Sequence, residues 1–355
     1  MKKTKKCVAL AMASLLMLFA VSCQREGASS SPAPSATPVS SAEPASSEPA
    51  SQTPEAEQTT IRIAALNGPT GIGMAKLIDD SENGKTANDY EITLAGAPDA
   101  IVSQISSGEL DIAAVPTNVA ATLYNKTKGN VQLLALNTLG VLSIVTKGED
   151  IQSFADLKGK TIYATGQGST PEYVLNYLLK SNGLDPKKDV TIEYLSEHAE
   201  LASKLLAGQV SIALLPEPFV TQVTAKDPKI TIAFNLTEEW DKAVDGKSVL
   251  TMGCLIVRKD FAKENKDALN VFLKEYEESA NYANENTAAC AELVAKSGIV
   301  ADSALAEKAI PNCNITYVDG DEMKDKVTDF FQVLFDANPK SIGGALPDDD
   351  FYYQK

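Results

Sequence analysis

The sequence predicts an α/β protein folded as two similarly built lobes, and three observations lead there. From residue 61 onward strand-like and helix-like segments alternate, residues 90–123 align without a gap with residues 190–223, and two extended apolar stretches, 139–146 and 250–257, flank the second of those units. Strands separated by helices of about ten residues indicate a largely parallel sheet. A length of 355 residues suits two such lobes, and 44% apolar with 22% charged residues suits a packed core.

The alternation does not begin at the first residue. Lys2, Lys3, Lys5 and Lys6 precede an apolar run, 7–21, whose 15 residues fall short of the roughly 20 that span a bilayer as a helix. Residues 1–22 therefore read as a secretory signal. The tetrad Ala20-Val21-Ser22-Cys23 resembles a bacterial lipobox, which implies acylation of the Cys23 thiol and cleavage just before it. The alternative is an ordinary secretory cleavage that leaves Cys23 a bystander. Of the 37 residues from 24 to 60, 31 are Ser, Ala, Pro, Glu or Thr, too little apolar surface to offset the entropy of ordering. With Cys23 they form an anchor site and linker, 23–60, reaching from about 35 Å as a coil to roughly 100 Å if extended.

The folded body then proceeds in order. The strand 61–66 runs into the turn Asn67-Gly68-Pro69-Thr70-Gly71-Ile72-Gly73, and a helix follows from Met74. A strand over 90–94 leads to a helix opened by Pro98 and closed by Gly108, then to a strand over 110–115, a helix from Thr117 and a strand over 131–136. The pattern starts again with the strand 161–165, the loop Gly166-Gln167-Gly168-Ser169-Thr170 and the helix 172–180. Residues 190–223 repeat residues 90–123, with Gly208 in the place of Gly108 and Pro216 in the place of Pro116. The stretches 139–146 and 250–257 are expected to cross side by side as a two-strand hinge. This gives lobe I as 61–145 plus 255–355 and lobe II as 146–254, with Trp240 in lobe II. The rest, from Phe261, is mainly helical: Phe272, Tyr276 and Ala283 share one helix face, as do Met323, Val327, Phe331 and Leu334 on another. These helices are expected to pad lobe I without contributing chemistry.

Composition narrows the function. A formal charge of −15 excludes nucleic acid as a partner. One His and five Cys, with no C-x-x-C and no H-E-x-x-H, leave no metal site to expect, and any Ser-His-Asp triad would have to use His198. No catalytic residue and no cofactor are expected. Cys290 and Cys313 could pair outside the cell or stay buried free thiols beside Cys254. Asp348-Asp349-Asp350 lacks the ligand spacing of a calcium loop and reads as a solvated tail.

Four stretches carry a family resemblance: N-G-P-T-G-I-G at 67–73, A-A-V-P-T-N at 113–118, T-G-Q-G-S-T-P-E-Y at 165–173 and A-L-L-P-E-P-F-V at 213–220. Over almost all of 61–350 the chain resembles the solute-binding proteins of ABC importers in the sulfonate, nitrate and thiamine-precursor group. The resemblance implies the bilobed type II periplasmic binding fold. It also implies a monomer at the outer face of the cell membrane that passes a small solute to an ABC permease and its cytoplasmic ATPase. The solute class it implies is a small anion or zwitterion, sulfonate- or taurine-like, or an aminopyrimidine thiamine precursor. A ligand-presenting sensor and an enzyme similar to the pyrimidine synthase of thiamine biosynthesis are the alternatives. The enzyme is disfavoured here by the export signal, the single His and the absence of clustered Cys.

In open parallel sheets ligands bind beyond the carboxyl ends of strands, where helix starts point outward. That rule selects Asn67, Pro69, Thr70, Gly71 and Gly73, then Thr117 and Asn118 in lobe I, and Gly166, Gln167, Gly168, Ser169 and Thr170 in lobe II. The glycines are expected to admit a close approach and the hydroxyls to donate. Glu217 either pairs with a basic group of the solute or simply sits solvated at a helix start. His198, aligned with Pro98, either touches solute or caps its helix.

Overall fold

The structure is a computed structural model that describes residues 58–355; the expected signal, Cys23 and the linker up to residue 57 lie outside the described residues. The first part of the chain forms β1 (Thr60–Leu66), α1 (Pro69–Ile72), α2 (Ala75–Glu82), β2 (Asp89–Ala95), α3 (Pro98–Ser107), β3 (Ile112–Pro116), α4 (Thr117–Thr127) and β4 (Val131–Leu139). It continues with β5 (Leu142–Lys147), β6 (Thr161–Ala164), α5 (Thr170–Ser181), β7 (Thr191–Tyr194), α6 (His198–Leu206), β8 (Ile212–Pro216), α7 (Phe219–Lys226), β9 (Ile230–Asn235) and α8 (Leu236–Ala243). The last part holds β10 (Thr251–Arg258), α9 (Lys259–Glu264), α10 (Lys266–Glu285), α11 (Thr287–Lys296), α12 (Ser303–Ala309), β11 (Ile315–Asp319) and α13 (Gly320–Ala337).

Two sheets organise these elements, one of six strands in the order β11-β4-β10-β3-β1-β2 and one of five in the order β7-β6-β8-β5-β9. The repeat read from the sequence is visible in the pairing. β1 pairs in parallel with β2 and β3, and β6 pairs in parallel with β7 and β8. Beside β3 and β8 the next strand is antiparallel, β10 in one case and β5 in the other. Local sequence explains the matching boundaries. Pro98 opens α3 where its missing N–H would have no partner, and Gly108 ends it at φ 82°, with Gly208 at φ 69° after α6.

The turn at 67–73 contains one helical turn, α1, before the longer α2 begins at Ala75. The hinge also differs from expectation. The chain changes sheets at Gly140-Val141 and returns just before β10, and the crossings touch: a Cβ on Gly140 would lie 3.1 Å from Leu250 and only 2.0 Å from the Thr237 hydroxyl. The long strands that follow do not run together, because β5 pairs with β8 and β9 while β10 pairs with β3 and β4. Boundaries at 145/146 and 254/255 would cut both strands, so we place the lobe junctions at 140–141 and 248–250.

The helical faces foreseen in the C-terminal part are buried: Phe272, Tyr276, Ala283, Met323, Val327, Phe331 and Leu334 are all essentially without exposure. They do more than pad one lobe. Phe330 of α13 packs on Trp240 of α8, ring centroids 5.5 Å apart, and Trp240 packs on Tyr177 of α5 at 5.1 Å. The triad 348–350 is exposed, as expected of a solvated tail, and also makes contacts with the body. Asp348 accepts from Tyr124, and Asp349 and Asp350 pair with Lys324 and Lys259. Cys254, Cys290 and Cys313 are buried free thiols.

The lobes meet directly. Thr170 at the start of α5 donates its hydroxyl to Asn118 Oδ1 at 3.0 Å, while Asn118 Nδ2 donates to the Ser341 carbonyl at 3.1 Å. Both side chains are buried, so this is a latch between lobes with no water to replace it. Replacing Thr170 by Val would leave Asn118 Oδ1 buried and unpaired, and should cost about 1–3 kcal/mol. Denaturant unfolding should show that loss and small-angle scattering a larger radius of gyration; an unchanged radius would mean the latch does not hold the lobes.

Candidate functional site

Because β10 and β5 run against β3 and β8, each crossing strand starts beside a proline that ends its neighbour: Gly253 pairs with Pro116 and Leu142 with Pro216. Both crossings therefore lie at the carboxyl ends of the parallel strands. The helix starts at 69, 117, 170 and 198 occupy that same edge, and the latch between Asn118 and Thr170 places the two edges against one another.

On lobe I the residues selected from sequence divide. Asn67 is exposed and its N–H donates to the Ala95 carbonyl. Pro69 opens α1, and Thr70 returns its hydroxyl to the Leu66 carbonyl at 3.2 Å. Gly71 and Gly73 are buried against the fold itself. A Cβ on Gly71 would lie 2.6 Å from the Leu66 carbonyl oxygen, and one on Gly73 would lie 2.9 Å from the Tyr276 hydroxyl. Their small size serves packing, not the approach of a ligand. Thr117 is different: it is fully buried, and its hydroxyl lies beside the Cys254 thiol with no oxygen or nitrogen partner among the described residues.

On lobe II the loop 166–170 is largely satisfied from within. Gly166 and Gly168 adopt φ of 74° and 77°, which side chains rarely tolerate. Ser169 donates to the Gly166 carbonyl at 2.7 Å, and the Gly168 N–H donates to the Glu172 carboxylate at 2.6 Å. Gln167 is exposed at the tip.

His198 and Glu217 are both drawn into this edge, His198 half-buried and Glu217 buried. The His198 ring meets Phe219 at 5.5 Å between centroids, and its Nδ1 is hydrogen-bonded to the Thr165 hydroxyl. Burial pushes its pKa down to about 4, so the imidazole is neutral at pH 7. Glu217 is 7% exposed and accepts from the Thr221 N–H at 3.1 Å. Its side chain thus caps the start of α7, combining the helix-start role with burial. Burial raises its pKa despite the Thr221 bonds, and its charge is felt by the Cys313 thiol of lobe I.

Several polar groups at this edge escaped the sequence reading. Thr165 follows β6 and Tyr194 ends β7, where the strand-end rule applied to their neighbours would have found them; the Tyr194 hydroxyl is buried with no hydrogen-bond partner among the described residues. Asn137 and Tyr276 lie side by side near Gly73 and Gly253, both buried, with the Tyr276 hydroxyl against the Asn137 amide. Tyr276 lies on an apolar helix face, where nothing in the sequence separates it from core. Two surface hollows of about 220 Å³ each, at 76–86 with 275–282 and at 105–108 with 127–131, lie away from this edge.

The buried imidazole makes a pH prediction. An unfolded His takes a proton near pH 6.5 while His198 resists until about pH 4, so acid favours the unfolded chain across that window by about 3 kcal/mol. Glu217, with its pKa raised, acts oppositely: its contribution is lost as pH rises through its folded value. The stability lost between pH 7 and pH 4.5 should therefore be smaller in His198→Gln than in wild type. Equal losses in denaturant titrations would remove the buried-imidazole account.

The sequence model of the family described as "ABC transporter, phosphonate, periplasmic substrate-binding protein" matches residues 83–303. No curated protein matches the chain. Among solved structures, an ABC transporter from Parabacteroides distasonis is 27% identical with a TM-score of 0.70, covering 84% of this chain and 100% of that one. The periplasmic aliphatic sulphonate-binding protein of Escherichia coli is 15% identical with a TM-score of 0.68, covering 84% and 93%. The alkanesulfonate-binding protein of Xanthomonas axonopodis pv. citri, bound to MOPS, is 17% identical with a TM-score of 0.63, covering 82% and 96%. The fold is that of the bilobed periplasmic binding proteins, and the chain belongs to the phosphonate family of periplasmic substrate-binding proteins of ABC transporters.

Proposed function

We propose that the protein is the lipid-anchored, extracytoplasmic binding component of an ABC importer. It is acylated at Cys23 and held at the outer face of the cell membrane by the linker. There it takes a small solute, sulfonate- or taurine-like or an aminopyrimidine, between the lobes and delivers it to a permease and its ATPase. The observation that carries the reading is the closed junction at the carboxyl ends of both sheets, where lobe meets lobe through Asn118 and Thr170 while the Tyr194 hydroxyl is buried with no hydrogen-bond partner among the described residues. Buried groups of this kind cost free energy unless something bonds to them, and a bound solute supplies that partner. Thr117, His198 and Glu217 are the residues we retain for solute contact. Asn118 and Thr170 act as the latch, and Gly71, Gly73 and the 166–170 loop as the scaffold.

Protein incubated with a cell extract, washed and heat-denatured should release one small molecule per chain; release of none would remove the capture function. Cys23→Ser should move the chain from the membrane pellet to the soluble fraction, and a variant that stays in the pellet would refute the anchor.

A further inference from the structure

Helix α4 starts at the lobe junction with Thr117 and Asn118 and runs away from it, and one stripe of its surface is polar. Asn118, Thr122 and Asn125, at i, i+4 and i+7, share a face. All three donate to one segment, the chain that follows α13. Asn118 Nδ2 and the Thr122 hydroxyl reach the Ser341 carbonyl at 3.1 and 3.4 Å, and Asn125 Nδ2 reaches the carbonyls of Ile342 and Ala345 at 2.7 and 2.8 Å. The backbone of that segment lies directly on the helix. A Cβ on Gly343 would be 3.0 Å from Thr122 Cα and 3.1 Å from Asn125 Cβ, and the Gly343 φ of 84° is one that side chains rarely adopt.

The segment is tied down on both sides of α4. Ahead of the helix, the Ser341 N–H donates to the Asn338 carbonyl at 2.8 Å and the Ser341 hydroxyl to the Leu334 carbonyl at 3.1 Å. Beyond it, Phe351 is fully buried with its ring 4.9 Å from that of Tyr124, and the Tyr353 N–H donates to the Leu133 carbonyl of β4 at 3.0 Å. Residues 338–353 therefore form a strap across α4, and the strap reaches the junction through Asn118. A backbone carbonyl can only accept, so Ser341 must face the Asn118 NH2 group. That turns Asn118 Oδ1 toward lobe II as an acceptor and makes the Thr170 hydroxyl the donor. Without the Ser341 carbonyl the amide is free to turn over, because the Thr170 hydroxyl can accept as well as donate.

Resting on the latch between Asn118 and Thr170, and whatever solute the lobes take, we infer that the carboxyl-terminal strap is a positioning element for lobe closure. It holds the Asn118 amide in one orientation and so sets how firmly the lobes are latched. Asn125 and Gly343 are positioning residues that act through Asn118. The test is amide hydrogen exchange on the full chain without added solute, read separately in peptides covering 339–346 of the strap and 168–173 of the opposite lobe. Asn125→Ala removes two strap bonds about 10 Å along the helix from Asn118. It is expected to speed exchange in 339–346 and, roughly fivefold or more, in 168–173, as Thr170→Val does, with β1 and β3 as protected as in wild type. The double variant is expected to exchange in 168–173 no faster than Thr170→Val alone, because both changes break one chain of contacts. Faster exchange confined to the strap and α4 overturns the inference, and so do effects in 168–173 that multiply in the double variant. Should Asn125→Ala lose protection throughout lobe I, Gly343→Ala, which pushes the strap off Thr122, is read by the same outcomes. A chain that captures no solute would leave these results unchanged, so failure of the capture function and failure of the strap are distinguishable.

Discussion

Two backbone registers govern this molecule, Gly253 beside Pro116 and Leu142 beside Pro216. In each sheet they fix an antiparallel strand next to three parallel ones, and an antiparallel strand must arrive at the edge where its neighbours end. Both crossings are therefore drawn to the carboxyl edges, and the helix starts of the two lobes are turned toward one another. Had either crossing strand been parallel, its lobe would have presented the amino ends of its strands instead. The geometry is tight enough to require particular residues. A Cβ on Gly253 would fall 2.4 Å from the Thr70 methyl and 2.6 Å from the Asn137 amide oxygen.

Bringing those edges together has electrostatic consequences. Burial at this edge keeps His198 neutral and raises the pKa of Glu217. The latch satisfies Asn118 and Thr170 through each other, so their hydrogen bonds contribute to lobe closure instead of solute recognition. Recognition is left to groups the fold does not pair. The contact of Phe330 with Trp240 adds an apolar bridge on another side of the junction.

Alternation and repetition were legible in the sequence because they depend on local chemistry: Pro98 starts a helix, Gly108 and Gly208 end theirs, and β-branched runs fill the parallel strands. Side chains at strand ends were only partly legible. The rule that ligands bind beyond strand carboxyl ends selected His198 and Glu217, but the sequence does not show that the Glu217 side chain curls back onto its own helix. Gly71 and Gly73 looked like openings for a ligand, yet the space they free is occupied by the Leu66 carbonyl and Tyr276. The hinge was misplaced by several residues because an apolar strand looks the same whichever sheet it joins. That choice depends on long-range pairing with β3, β4, β8 and β9.

The position of β10 also sets an order of assembly. It lies in the middle of its sheet, between β3 and β4, so the strands before residue 140 cannot complete that sheet among themselves. The second lobe, formed from one continuous stretch, has no such dependence and can condense as soon as its own residues are present. Contacts distant in sequence form slowly because a long loop must close first. A chain emerging from its amino end thus carries an unfinished, strand-exposing segment ahead of a lobe that can already fold, and the first lobe closes only after the inserted one has passed through.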